Sequence, residues 1–225
     1  MCNCHGLGIP GTVQELARLV REKDPLVLFV VESGLDNARL EVLRCQFHFS
    51  SKLVVSIREQ GGGLAMFWKQ EADVSIKSFS HHHIDTIIDE GKPNSWRFTG
   101  FYGAPETHKR HESWSLLRLL HNQYSLPWCC MGDFNELLSY EEKQGGPIRS
   151  HRQMQDFRDA IDHYGFEDLG FNGPPFTWCN NRLGTHTIWE RLHRVLATTS
   201  WISLFTLAQV YHLHLVSSDH SPISI

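Results

Sequence analysis

The spacing of apolar residues changes along the chain, from a helical period to a strand period and back. Thr12-Val13-Gln14-Glu15 has the form of a capping box, and Leu16, Leu19 and Val20 follow at helical spacing. This predicts a helix that stops near Lys23-Asp24-Pro25. Residues 26–31 are a continuous apolar run of strand length, predicted to be buried on both faces. Residues 37–44 predict a short helix. The period then becomes two, and residues 47–49, 53–57, 63–68, 74–79 and 83–88 predict successive strands. Residues 96–102 predict another. Residues 106–124 predict a helix whose core stripe is Trp114, Leu117, Leu120 and Tyr124. Residues 127–130 form a buried strand, 154–163 a helix ended by Gly165, and 176–178, 188–197 and 207–216 further strands. Residues 1–8 look like the last part of a truncated first strand running into a loop. Helices and strands alternate at both ends around a mainly β stretch, which predicts one α/β domain, residues 1–225, with mixed sheets.

Composition narrows the function classes. With 41% apolar residues the 225-residue chain can bury a sizeable core. A net charge of -4 argues against holding nucleic acid by bulk electrostatics, but not against meeting phosphates through a metal ion. Six cysteines include no CxxC pair, so neither a zinc ribbon nor a redox motif is expected, and a reducing compartment is. Cys129 and Cys130 are predicted to face opposite sides of their strand. Residues 1–10 lack the apolar region of a signal peptide, and no run approaches the ~18 residues of a membrane helix. No small organic cofactor and no membrane partner are expected.

Candidate chemistry gathers where strands end. Met131-Gly132-Asp133-Phe134-Asn135 follows the apolar run 127–130, and Gly132 is expected to let the backbone turn. In an extended segment Asp133 and Asn135 share one side while Phe134 points into the core. A carboxylate there can hold a water or a metal, and the amide beside it can donate to an anionic oxygen without adding charge. A polar turn is the plainer alternative. Glu32 closes the apolar run 26–31, where a carboxylate is costly unless paired or liganded. Tyr102 ends a strand, and Asp219-His220 precedes a Ser-Pro turn, an arrangement that can orient an imidazole. Gly61-Gly62-Gly63 has no following Lys-Ser/Thr and fits a strand-entry turn. His81-His82-His83 alternate faces of a strand, so they cannot all bind one ion. Arg149 and Arg152 fit either a phosphate contact or a solvated face.

Taken in order, Asn3, Glu32, Tyr102, Asp133 with Asn135, and Asp219 with His220 resemble the endonuclease/exonuclease/phosphatase superfamily, the DNase I-like fold. The closer resemblance is to the endonuclease domain of plant non-LTR (LINE-type) retrotransposons. It rests on Asn3-Cys4-His5-Gly6-Leu7-Gly8, Phe101-Tyr102-Gly103, Trp114, Gly132-Asp133-Phe134-Asn135-Glu136, Gly145-Gly146, Phe176-Thr177-Trp178, Arg191-Leu192 and Ser218-Asp219-His220. The resemblance implies a four-layer α/β/β/α sandwich of two mixed sheets. It implies Mg²⁺- or Mn²⁺-dependent phosphodiester cleavage by an activated water, with DNA as the partner and a nuclear location. Glu32 would bind the metal with Asn3 close by, and Asp219 would support metal and site. Asp133 would orient or deprotonate the water. Asn135 and Tyr102 would hold the phosphate, and His220 would steady the pentacoordinate phosphorane.

Three departures qualify that expectation. The family's Arg-Leu-Asp-Arg is Arg191-Leu192-His193-Arg194 here, so His193 replaces the carboxylate expected to orient the catalytic histidine. Two protonated imidazoles side by side would repel, and losing an orienting Asp costs about 10⁴ in kcat in a Ser-His-Asp triad. Reduced activity is therefore expected. The family's opening arginine is His5, and the sequence closes five residues past His220 with no reverse transcriptase following. A fragment of a decayed element is one expectation from these departures. A non-catalytic nucleic-acid-binding remnant, and a phosphomonoesterase or RNA exonuclease of the same fold, are the alternatives.

Overall fold

Cys2–Asn3 (β1) is a two-residue strand ahead of Pro10–Lys23 (α1) in the computed structural model, which describes residues 1–3, 10–56, 63–214 and 218–225. Pro10 opens α1, where its missing N–H costs nothing. Thr12 therefore lies inside the first turn, and the expected capping box is not the cap. Val27–Val31 (β2) is the continuous apolar run, and Asn37–Gln46 (α2) is capped by the Asp36 carboxylate, which accepts from Arg39 N at 2.8 Å. Ser51–Ser56 (β3), Gly63–Trp68 (β4), Val74–Ser80 (β5), His83–Ile88 (β6) and Trp96–Tyr102 (β7) follow. Arg110–His121 (α3) leads to Trp128–Asp133 (β8), Lys143–Gln144 (β9) and His151–His163 (α4). Then come Phe166–Asp168 (β10), Trp178–Cys179 (β11), Trp189–Glu190 (β12) and His193–Thr198 (β13). Thr199–Leu204 (α5), Tyr211–His212 (β14) and Ile223–Ser224 (β15) are last.

The strands form a four-stranded sheet, β1-β2-β4-β3, and a six-stranded sheet, β10-β13-β8-β7-β6-β5. Each contains one parallel pair, β1 with β2 and β7 with β8, among antiparallel ones, so both sheets are mixed. Phe29, Val31 and Met66 of the first sheet pack against Ile84, Phe98, Met131 and Val195 of the second, which makes the central core. Leu16, Leu40 and Leu43 of α1 and α2 cover the outer face of the first sheet. Trp114, Leu117 and Phe157 of α3 and α4 cover the outer face of the second, with Trp114 stacked on Phe157 at 4.5 Å. Each such buried side chain contributes roughly 1.5–3 kcal/mol. The result is a four-layer α/β/β/α sandwich. Cys129 faces the central core and Cys130 the helices, as strand alternation requires.

Several elements differ from the sequence pattern, each for a local reason. Residues 47–49 are not a strand. Phe47 caps α2, His48 sits at φ 59, and both phenylalanines are buried in that turn. The helix expected over 106–124 begins with a 3₁₀ turn, Thr107–Lys109, and ends at His121, which leaves Tyr124 38% exposed outside the core stripe. The alternating run 188–197 breaks at Arg191 and Leu192. Its first part, β12, joins a small sheet with β9 and β11, and its second, β13, joins the six-stranded sheet. The strand expected over 207–216 reduces to β14 within its described residues. The helix α5 carried no signal beyond Trp201, which is buried. Gly132 makes no turn. It lies in β8 against Phe101 of β7, where a Cβ would come within 1.9 Å of the Phe101 carbonyl oxygen. The short β1 pairs only at Cys2–Val30 and Asn3–Val31, and Met1 exchanges both its backbone bonds with Ile223 of β15. The Gly-rich stretch before β4 and the opening motif around His5 fall at residues 57–62 and 4–9, outside the described residues. Among the described residues, no helix is long and apolar enough to cross a membrane.

Candidate active site

Three neighbouring strand ends deliver three side chains to one place. In the register of the six-stranded sheet Tyr102 of β7 faces Asp133 of β8, and Asp133 faces His193 of β13. Directly paired residues project to the same face. The first sheet meets them through Asn3, paired with Val31, and through Glu32, the residue after β2. Side-chain hydrogen bonds tie the sheets together here. The Asn3 amide donates to Asp133 Oδ2 at 3.1 Å, and the Tyr102 hydroxyl donates to the Glu32 carboxylate.

Asp133 is buried, and its other oxygen accepts from the backbone N–H of Asn135 at 3.0 Å. Burial pushes its carboxyl up, but the adjacent His193 imidazole, His220 and the Asn3 amide outweigh that and hold it at about 2. His193 Nε2 lies 3.5 Å from Asp133 Oδ2 and 2.9 Å from His220 Nδ1, and His220 Nδ1 lies 3.8 Å from the same carboxylate oxygen. The two imidazoles stack at 5.0 Å and 12°. His193 Nδ1 faces the Ser221 carbonyl at 2.8 Å, so that nitrogen carries the proton. The Nε2–Nδ1 contact is a hydrogen bond when one of the two nitrogens carries a proton. The backbone is fixed from below. Thr177 Oγ1 accepts from the N–H groups of both Leu192 and His193 at 2.9 Å, and Trp178 forms a β-bridge with His220.

Other sequence candidates take up different partners. Glu32 and Asn135 adopt left-handed backbones, φ 52 and φ 55, a conformation that costs a non-glycine residue about 1–3 kcal/mol and clusters at functional sites. Asn135 is therefore not the extended neighbour of Asp133 that strand alternation predicts. Its side chain turns away and donates to the Gly103 carbonyl at 2.8 Å, while Phe134 enters the core as expected. Burial pushes the Tyr102 phenol up, with help from the Glu32 charge, so it stays a neutral donor. Asp219 Oδ2 accepts from Trp178 Nε1 at 3.2 Å, and His220 meets His193 through its Nδ1. Among the described residues, the His, Cys, Asp and Glu ligand atoms that converge within 4.8 Å include Asp133, His193 and His220, a group without Glu32 or Asp219.

The profile of the Endonuclease/Exonuclease/phosphatase family matches residues 2–220. The chain belongs to that family. Its fold matches three solved structures of low sequence identity. An AP endonuclease from Archaeoglobus fulgidus is 16% identical with a TM-score of 0.75, over 98% of this chain and 95% of that one. A 3' phosphatase from Neisseria bound to a product DNA hairpin is 17% identical with a TM-score of 0.71, over 98% and 95%. The endonuclease domain of TRAS1, a telomere-specific non-LTR retrotransposon, is 15% identical with a TM-score of 0.68, over 97% and 93%. These likenesses establish the DNase I-like fold. A sequence search of curated proteins finds no match.

Within this family member, sequence reasoning missed the ionic frame under the site. Arg149 is no solvated face. It lies 2.7 Å from Glu190 and 3.4 Å from Glu136, which also receives Arg110 at 2.6 Å. Arg194, fully buried, bonds Glu142 and Asp168, and Arg191 bonds the same two carboxylates. The available signal was the pair of arginines flanking Leu192 and His193, since charges within an apolar stretch need partners when they are buried. Arg152 is exposed.

Proposed function

We propose that this chain is a Mg²⁺- or Mn²⁺-dependent phosphodiester hydrolase that nicks DNA, of the kind a plant LINE-type retrotransposon carries. The observation that supports this most is the place of the Asp133 carboxylate, buried where the two sheets meet and held by the Asn3 amide at 3.1 Å and the Asn135 N–H at 3.0 Å. A general base must first sit within hydrogen-bond reach of the proton it takes. Glu32 and Asp219 are hard carboxylate donors of the kind magnesium prefers, and Glu32 is fixed by the Tyr102 hydroxyl. When bound, the ion would polarise a phosphoryl oxygen and acidify a water.

Asp133 would orient that water and take its proton. Asn135 is pinned by one amide N–H on Gly103 and can offer its second to a phosphate oxygen. Tyr102 would act mainly through Glu32, since its proton is given to that carboxylate. His220 would donate to the phosphorane, with His193 as its orienting partner. His193 supplies an acceptor but no negative charge, which favours slow turnover. It also favours a second reading, a non-catalytic nucleic-acid-binding remnant of a decayed element. A nuclear location follows from the retroelement reading alone.

Nicking of supercoiled plasmid in Mg²⁺ tests this. Wild type should nick slowly. Asp133→Asn should lose at least about a hundredfold, and His193→Asp should gain. Equal rates for wild type and Asp133→Asn would sink the hydrolase reading. An inert wild type rescued by His193→Asp would identify a decayed enzyme on an intact fold.

A further inference from the structure

Asp133, His193 and His220 offer one oxygen and two nitrogens, all buried, at separations of 2.9, 3.5 and 3.8 Å. Three atoms so spaced share a centre about 2.0 Å from each, which is the length of Zn–N and Zn–O bonds. From this geometry we infer a binding site for a borderline transition cation of the Zn²⁺ or Co²⁺ class, created by the histidine at position 193. Two imidazoles and one carboxylate suit that class, whereas magnesium seeks an all-oxygen shell. The site is distinct from the hard-cation position expected at Glu32 and Asp219, neither of which belongs to the convergent group.

The surroundings are those of a ligating set. A metal-binding histidine characteristically gives its other ring N–H to a carbonyl or carboxylate. His193 does so, through Nδ1 to Ser221 O at 2.8 Å, so that in the neutral ring Nε2 carries the lone pair on the side of Asp133 and His220, and a cation displaces the proton that the Nε2–Nδ1 contact holds. The carboxylate is oriented in turn by the Asn3 amide at 3.1 Å. The backbone is set by Thr177 beneath His193 and by the Trp178 bridge to His220. Rigid placement of this kind lowers the ordering cost of binding. An ion here would occupy the carboxylate and the imidazole that the proposed hydrolysis uses, so it would inhibit that reaction.

The test needs no nucleic acid, so its failure is separate from failure of the hydrolase reading. Chelator-stripped protein is titrated with Zn²⁺ against a chromogenic competitor, and with Co²⁺ by visible absorption. Wild type should bind one Zn²⁺ and show the intense Co²⁺ bands of a low-coordinate N/O site. His193→Gln and His220→Gln should each weaken Zn²⁺ binding at least a hundredfold and abolish those bands. Far-UV circular dichroism and the melting temperature without metal confirm that each variant is folded. Should His193→Gln fail to fold, His220→Gln decides alone. Zn²⁺ binding of equal strength in a folded variant would assign it to other histidines among the fifteen and overturn the proposal. Weak octahedral Co²⁺ bands in wild type would overturn it too.

Discussion

His193 and Arg194 are neighbours on β13, both fully buried, and they face opposite sides of the sheet. Arg194 enters a closed ionic quartet. Its guanidinium reaches Glu142 at 3.0 and 2.9 Å and Asp168 at 2.8 Å, while Arg191 holds the same carboxylates at 2.8 Å. Two cations and two anions balance there, and the ring of Phe157 packs on the Arg194 guanidinium at 5.4 Å. His193 enters an open arrangement instead, one carboxylate facing two imidazoles, whose charge depends on how many protons or ions it holds. The structural cluster balances its own charge, although Arg191 Nε and Arg194 Nε stay buried without a hydrogen-bond partner. A functional one leaves a balance that a ligand can complete.

The largest effect should come from breaking the closed side. Arg194→Ala leaves two carboxylates buried without their central cation and should cost about 3–5 kcal/mol in urea unfolding. The neighbouring His193→Gln removes one ring from a cluster that retains donors and acceptors, and should cost about 1 kcal/mol. Similar losses at the two positions would mean that the comparison has no energetic content.

A second, smaller effect lies between the two regions. Thr177 is buried, and its hydroxyl is the acceptor for both Leu192 N and His193 N at 2.9 Å. Thr177→Val keeps the shape and removes the acceptor, so two backbone donors lose their partner at a cost of about 2–3 kcal/mol. The same change should loosen His193 and weaken Zn²⁺ binding, while Arg194 keeps its ion pairs. A loss of stability with unchanged Zn²⁺ binding would separate the backbone anchor from the site.

The contrast between the two faces also explains what could be read from the sequence. β4, β6 and β7 match their predicted bounds because apolar runs of strand length are punctuated by turns. Asp133, Asn3, Glu32 and Tyr102 were legible as polar residues closing such runs, and the sheet register gathers them. The break at Arg191-Leu192 was not legible, because alternation continues through it while the chain passes from the small sheet to the large one. Nor was the left-handed turn at Asn135, whose own N–H donates back to the Asp133 side chain two residues earlier. The quartet was hidden because its members lie at 142, 168, 191 and 194 and meet only through tertiary packing.

Acidification gives the smallest and most selective test of the closed side. Burial pushes the Glu142 and Asp168 carboxyls up, but Arg194, together with Arg191, outweighs burial and holds both below their usual values of 4.5 and 3.8. Because the folded values are depressed, the stability these groups contribute is complete above the unfolded values and is lost as pH falls below about 4 toward the folded ones. In Arg194→Ala the main cation is gone and burial acts with less opposition, so the carboxyls take up protons more readily and the variant is relieved by acid. The stability gap between wild type and Arg194→Ala should therefore narrow, by roughly 1–2 kcal/mol between pH 7 and pH 4. Urea midpoints measured across that range read it directly. A gap that stays constant would mean that Arg194 stabilises the fold through its contacts with Phe157 and the carbonyls of Glu136 and Arg191 rather than through the two carboxylates.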